Sequence, residues 1–125
     1  METEGRLVLA DFEAGLGTLS RLKPGQVDLF LVVTAPTAKA VEVARRALEM
    51  IREKDVGRAQ LVANRIASDE DRELLQSAFG AAARTEVPED ASIREADVRG
   101  VAVFDHAPDT AATRAIRKLA ESLLA

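Results

Sequence analysis

Only a few short stretches of this 125-residue chain hold residue types that could do chemistry. The first is Asp11-Phe12-Glu13-Ala14-Gly15-Leu16-Gly17, directly after the apolar run Arg6-Leu7-Val8-Leu9-Ala10. An acid at the carboxyl end of a parallel strand faces the crevice where open α/β sheets bind ligands. Glycines behind it let the backbone approach a phosphate. Three readings fit this spacing. Asp11 could hold Mg²⁺, usually through water, with a switch loop behind it. Gly15 and Gly17 could belong to a dinucleotide fingerprint, although position 20 is Ser and no acid follows about 20 residues on at a strand end. The third reading is a strand that simply ends in a polar turn.

The second stretch is Asn64-Arg65, which closes the apolar run Ala59-Gln60-Leu61-Val62-Ala63. A carboxamide offers a donor and an acceptor and can read a purine edge. A guanine reader would use Asn-Lys-x-Asp; here Ala67 fills the fourth position, which disfavours guanine. An Asn that only caps a turn fits as well. The third stretch is Val87-Pro88-Glu89-Asp90, where Pro88 fixes φ after a strand. The lone histidine, in Phe104-Asp105-His106-Ala107-Pro108, reads as an exposed loop side chain. No catalytic residue is assigned.

Composition removes whole classes of function. Hydrophobic residues make up 47% and charged residues 30%, the balance of an ordinary folded domain. Mean hydropathy is −0.04, and the pI is about 5.1. A net charge of −4 argues against duplex nucleic acid, whose phosphates want a clustered basic face. Four Phe with no Trp or Tyr leave little for base stacking. Zero cysteines exclude a disulfide framework, a thiolate metal site and a Cys nucleophile, and one histidine excludes a multi-His site within one chain. No apolar run approaches the roughly 20 residues of a membrane span, and no signal-peptide pattern opens the chain. The expectation is a cytoplasmic protein with neither nucleic acid nor membrane as a partner.

The elements that must position these residues alternate along the chain. Arg6–Asp11, Asp28–Thr34, Ala59–Asn64 and the shorter Arg84–Val87 read as strands. Runs apolar on both faces suit a parallel sheet covered on both sides. From Thr37 to about Lys54, Val41, Ala44, Leu48 and Ile51 recur at helical spacing, with Val43, Ala47 and Met50 widening the stripe. Ser68 before Asp69, Glu70 and Asp71 reads as an N-cap with acids in the first turn, and Gly80 as the stop. Ser92 and Glu95 have capping-box spacing for a short helix that ends near Gly100. A last helix starts near Thr110, with Ala112, Ile116, Leu119 and Leu123 on one face. Arg45, Arg46, Arg114, Arg117 and Lys118 read as solvated helix faces paired with acids. The pattern predicts one α/β domain over residues 1–125, with a mostly parallel sheet of about four strands flanked by helices.

Taken in order, these stretches resemble the later part of a P-loop ATPase of the MinD/ParA type. The nearest resemblance is to the carbon-monoxide-dehydrogenase accessory ATPases of nickel insertion. It rests on Leu7–Gly15, similar to that family's strand and D-x-E-A-G segment, and on Asp28–Thr37. Leu61-Val62-Ala63-Asn64-Arg65 and Val87-Pro88-Glu89-Asp90 with Ile93–Asp97 and Gly100 complete it, so it covers residues 6–124. The resemblance implies a truncated three-layer P-loop NTPase-like fold, the part from the Walker B strand to the C-terminus. It implies that Asp11 takes the Mg²⁺-associated position and that Asn64 and Arg65 face adenine. Pro88, Glu89 and Asp90 would line the base pocket, with ATP or ADP and Mg²⁺ as the cofactors.

A P-loop needs G-x-x-x-x-G-K-[ST]. The lysines stand at 23, 39, 54 and 118, and no Gly-Lys dipeptide occurs. Phosphoryl transfer depends on that loop's positioning and charge, so the chain alone is not expected to hydrolyse ATP. The resemblance also places the P-loop strand between the strands at Leu7–Asp11 and Asp28–Thr34. Its absence predicts that these two pair directly, or that the gap is covered by a homodimer or a partner protein supplying the strand. The expected function is a non-catalytic binding or regulatory module. The alternatives are the C-terminal part of a genuine ATPase of metallocentre assembly or partitioning, and an unrelated receiver- or flavodoxin-like domain.

Overall fold

The computed structural model describes residues 5–12 and 16–124. Glu13, Ala14 and Gly15 of the acid-and-glycine stretch lie outside the described residues. The elements run α1 (Leu16–Arg21), β1 (Leu29–Thr34), α2 (Ala38–Lys54), β2 (Arg58–Ile66) and α3 (Asp69–Phe79). They continue with β3 (Arg84–Pro88), α4 (Ala91–Arg99), α5 (Val103–His106) and α6 (Ala111–Leu124).

The sheet is parallel, in the order β1-β2-β3. It has three strands among the described residues rather than the four expected from the sequence. Residues 6–12 form no strand, and Leu7, Val8, Leu9 and Phe12 are 61%, 54%, 80% and 41% exposed. The expected direct pairing with β1 does not form. Among the described residues β1 is paired on one side alone.

Two faces of the sheet are covered. On one face, Phe30 packs with Ile51 and Val56, joined by Leu19, Leu22, Val27 and Val32. On the same face, Ala63 and Ile66 pack with Val41 and Leu75. On the other face, Val62 and Val87 meet Ala112, with Leu31, Ile116 and Leu119 beside them. Central β2 therefore buries Leu61, Val62 and Ala63 in succession, which is the two-sided burial that its continuous apolar run encodes. Gly57 opens the turn into β2. A Cβ there would stand 2.7 Å from the Val27 carbonyl oxygen, so only glycine lets the turn close.

The helix caps carry the register. Thr37 caps α2 through Ala40 N–H at 3.2 Å. Ser68 and Asp71 form a full capping box on α3, and Gly80 ends it. α4 starts two residues earlier than the sequence suggests: its cap is Asp90, which accepts from Ser92 N–H at 2.9 Å, not Ser92. Gly100 ends it in the left-handed conformation. Val41, Ala44, Ala47 and Ile51 form the buried stripe of α2, while Val43 is 45% exposed. Arg45 and Arg46 pair with Glu42 and Glu49 on its outer face. No helix among the described residues is long and apolar enough to cross a membrane.

Candidate functional site

The carboxyl ends of all three strands meet on one side of the sheet, and most of the residues singled out in the sequence arrive there. β2 and β3 run in register until Ala63, then shift between Ala63 and Ile66. The extra length is taken up at Arg65, whose φ of 63 is left-handed without being glycine. Such backbone costs of order 1 kcal/mol or more and persists where surroundings hold it. Here the holding contacts are Ile66 paired with Pro88, and Glu89 N–H donating to Ile66 C=O at 2.9 Å. Arg65 Nε donates to Glu89 Oε2 at 3.0 Å. The bulge thus joins the Asn64-Arg65 and Pro88-Glu89 stretches.

Asn64 sits where this bulge begins. Its side chain lines a groove of about 420 Å³ with Val33, Thr34, Ala35, Thr37, Lys39 and Val43. No hydrogen bond to another described side chain or backbone group engages its carboxamide, so its donor and its acceptor are both free. Thr34, 2% exposed, spends its hydroxyl on Ala35 C=O at 3.3 Å. Lys39 brings the groove its cation and was not singled out in the sequence. Its signal was its place in the first turn of a capped helix beside a strand end.

Asp90 holds a structural position. One oxygen caps α4 through Ser92. The other is buried without a hydrogen bond of full geometry, next to Thr110. The Thr110 hydroxyl, then the Ser92 N–H, hold its carboxyl below the usual range of about 3.8. Thr110 also orders the start of α6 by accepting from Thr113 N–H at 3.3 Å. Asp90 thereby ties the start of α4 to the residue before α6.

Asp11 lies in the exposed 6–12 segment and is not brought to the groove within one chain. Among the described residues no cluster of three or more His, Cys, Asp or Glu could hold a metal ion. His106 is no solvated loop residue: its side chain is 17% exposed, in α5, with Nε2 3.1 Å from Glu95 Oε2. Arg117 also departs from a plain ion-paired face. It lies over the Phe104 ring at 5.6 Å and donates to Pro108 C=O at 2.9 Å.

This architecture is found in solved proteins. The chain is similar to the septum site-determining protein MinD from Pyrococcus horikoshii, solved with Mg-ADP, at 24% identity and a TM-score of 0.62. It is similar to the MinD cell division protein of Aquifex aeolicus at 20% identity and a TM-score of 0.64. A ParA family ATPase from Chlorobium tepidum matches at 22% identity and a TM-score of 0.60. These matches cover 77%, 78% and 72% of this chain, but only 41%, 44% and 39% of those proteins. No protein-family profile matches the chain, and no curated protein matches it by sequence. The likeness shows the fold: an α/β, P-loop NTPase-like architecture of the MinD/ParA type, of which this chain spans less than half.

Proposed function

We propose that this chain is a non-catalytic binding module that recognises the base side of an adenine nucleotide. What supports the reading is the unengaged carboxamide of Asn64, set by the Arg65 bulge at the mouth of the groove. A carboxamide can donate to one purine ring position and accept from the adenine amino group. Pro88 and Glu89 stand at the neighbouring strand end, joined to this one through Arg65. One of the similar proteins was solved with Mg-ADP, which agrees with a nucleotide as ligand. The phosphate side is a different matter. The sequence holds no Gly-Lys dipeptide, and the described acids form no metal cluster. ATP and ADP should then bind with affinities within about tenfold of each other, because the distal phosphate finds no cradle.

The reading's setting is the cytoplasm, and its partner is either a second copy or a protein that supplies a strand to β1. The resemblance to nickel-insertion ATPases is retained for the shape of the base side only. With no cysteine in the chain, nickel handling is not part of the proposal. A second reading has the chain acting as one part of a complete ATPase of metallocentre assembly or partitioning. The coverage of about 41% of the Pyrococcus protein favours it. Calorimetry separates the two. Titration of ADP and of ATP with Mg²⁺ is expected to show binding that Asn64→Ala removes, with no phosphate released. Failure of every adenine nucleotide to bind would sink the base-side reading. Metal-dependent turnover abolished by Asp11→Ala would sink the non-catalytic one.

A further inference from the structure

Pro88 ends β3 and Asp90 caps α4, so Glu89 alone spans the turn between them. The start of α6 grips this short link on both sides. Before it, buried Val87 packs against buried Ala112. After it, one Asp90 oxygen caps α4 and the other is buried beside the Thr110 hydroxyl. Thr110 stands two residues before Ala112 and is itself fixed. Its C=O accepts from Arg114 N–H at 2.9 Å and from the Thr113 hydroxyl at 3.0 Å. Its own hydroxyl oxygen accepts from Thr113 N–H at 3.3 Å, which leaves the Thr110 proton for Asp90. The link in turn holds the end of β2. Glu89 N–H donates to Ile66 C=O, and the Glu89 carboxylate accepts from Arg65, the residue after Asn64. No residue of α6 lines the groove.

We propose that Thr110 is a positioning residue for the candidate base site: its hydroxyl holds Asp90, Asp90 fixes Glu89, and Glu89 fixes the turn at Arg65 beside Asn64. The position needs the hydroxyl and not only its volume. A buried carboxylate oxygen left without a donor is costly and gains by moving towards water. Asp90 cannot move without drawing Glu89, its chain neighbour. The exposed Arg65–Glu89 pair is too weak to oppose that shift. The consequence for ligand affinity rests on the base-side reading above; the positioning itself is tested without ligand.

The test measures amide exchange of Glu89 in the ligand-free chain, against the Val62 amide of central β2 as the reporter of global opening. Thr110→Val keeps the shape and removes the hydroxyl. Glu89 should then exchange about three- to tenfold faster relative to Val62, and Thr110→Ser should restore it. Thr110→Val also weakens the cap of α6, so a second variant separates the two effects. Asp90→Ser still caps α4 but offers Thr110 no carboxylate oxygen, and it leaves the α6 cap untouched. It should loosen Glu89 to the same extent, and the double variant should loosen it no further. Calorimetry with ADP should show affinity reduced about three- to tenfold in Thr110→Val and regained in Thr110→Ser. Glu89 exchange unchanged in Asp90→Ser, or additive loss in the double variant, overturns the proposal. So does a loosened Glu89 with ADP affinity unchanged. If the unsubstituted chain binds no adenine nucleotide, the base-side reading fails, and the Glu89 amide still decides the positioning.

Discussion

Arg65 and Glu89 stand 24 residues apart, yet the Arg65 guanidinium donates to the Glu89 carboxylate at 3.0 Å, from a left-handed backbone at φ 63. The pair clamps the ends of β2 and β3 where their register shifts, next to Asn64 at the groove wall. Both side chains are more than a third exposed, so the pair contributes little to stability. A double-mutant cycle of Arg65→Ala and Glu89→Ala should give a coupling energy below about 1 kcal/mol. A coupling of several kcal/mol, read from urea midpoints, would mean that the clamp carries the fold rather than the site.

Acid stability should depend on Asp90. Its carboxyl is held below the usual range by Thr110 and Ser92. A carboxylate whose folded pKa is depressed stabilises the fold above its unfolded pKa and loses that effect as pH falls through the folded value. The window therefore opens near pH 4 and extends below it. Asp90→Asn keeps an acceptor for the Ser92 N–H but does not titrate. Thermal unfolding from pH 6 down to pH 2 should show a shallower acid decline in that variant. An identical decline would remove Asp90 from the account.

The packing core should fail first at Leu75. It is fully buried on α3 and packs with Val41, Ala63 and Ile66. Leu75→Ala should destabilise the chain by about 2–5 kcal/mol, through lost transfer energy and the cavity left behind. Leu124→Ala, at 71% exposure, should change stability by under about 0.5 kcal/mol. Chemical denaturation of the two variants side by side checks the ordering.

The turn into β2 should tolerate no side chain. Gly57→Ala places a Cβ 2.7 Å from the Val27 carbonyl oxygen, which must then move and disturb the Phe30 packing at 3.1 Å. A loss of about 1–3 kcal/mol is expected. Gly25→Ala meets no atom within 4 Å but sits at φ 87, so its cost is backbone strain alone. Equal denaturant midpoints for wild type and Gly57→Ala would contradict the close approach.

Local chemistry made much of this protein legible in its sequence. The 3.6-residue stripe from Val41 to Ile51, the Ser68 cap and the Gly80 and Gly100 stops are each decided within a turn or two of chain. So is the two-sided burial of Leu61-Val62-Ala63, because a continuous apolar run has nowhere to go but a covered sheet. The α4 cap was misplaced onto Ser92 because Asp90 and Ser92 satisfy the same local pattern, and only the path of the chain out of β3 selects between them.

Tertiary structure decided what depends on distant neighbours. Arg6–Asp11 has the composition of a strand, but strand formation needs pairing with a second backbone, and among the described residues this run is not paired. His106 has the sequence context of a loop residue, yet the packing of α4 against α5 sets it on Glu95. The bulge at Arg65 left no sequence signal, because left-handed backbone at an arginine arises only from the mismatch between the lengths of β2 and β3. The sequence by itself determined the alternation of elements and most of their caps. Only the fold set Asn64 on a groove with Thr34 and Lys39 and joined Arg65 to Glu89, since hydrogen-bond register between strands is set by partners far away in the chain and not by the residues that use it.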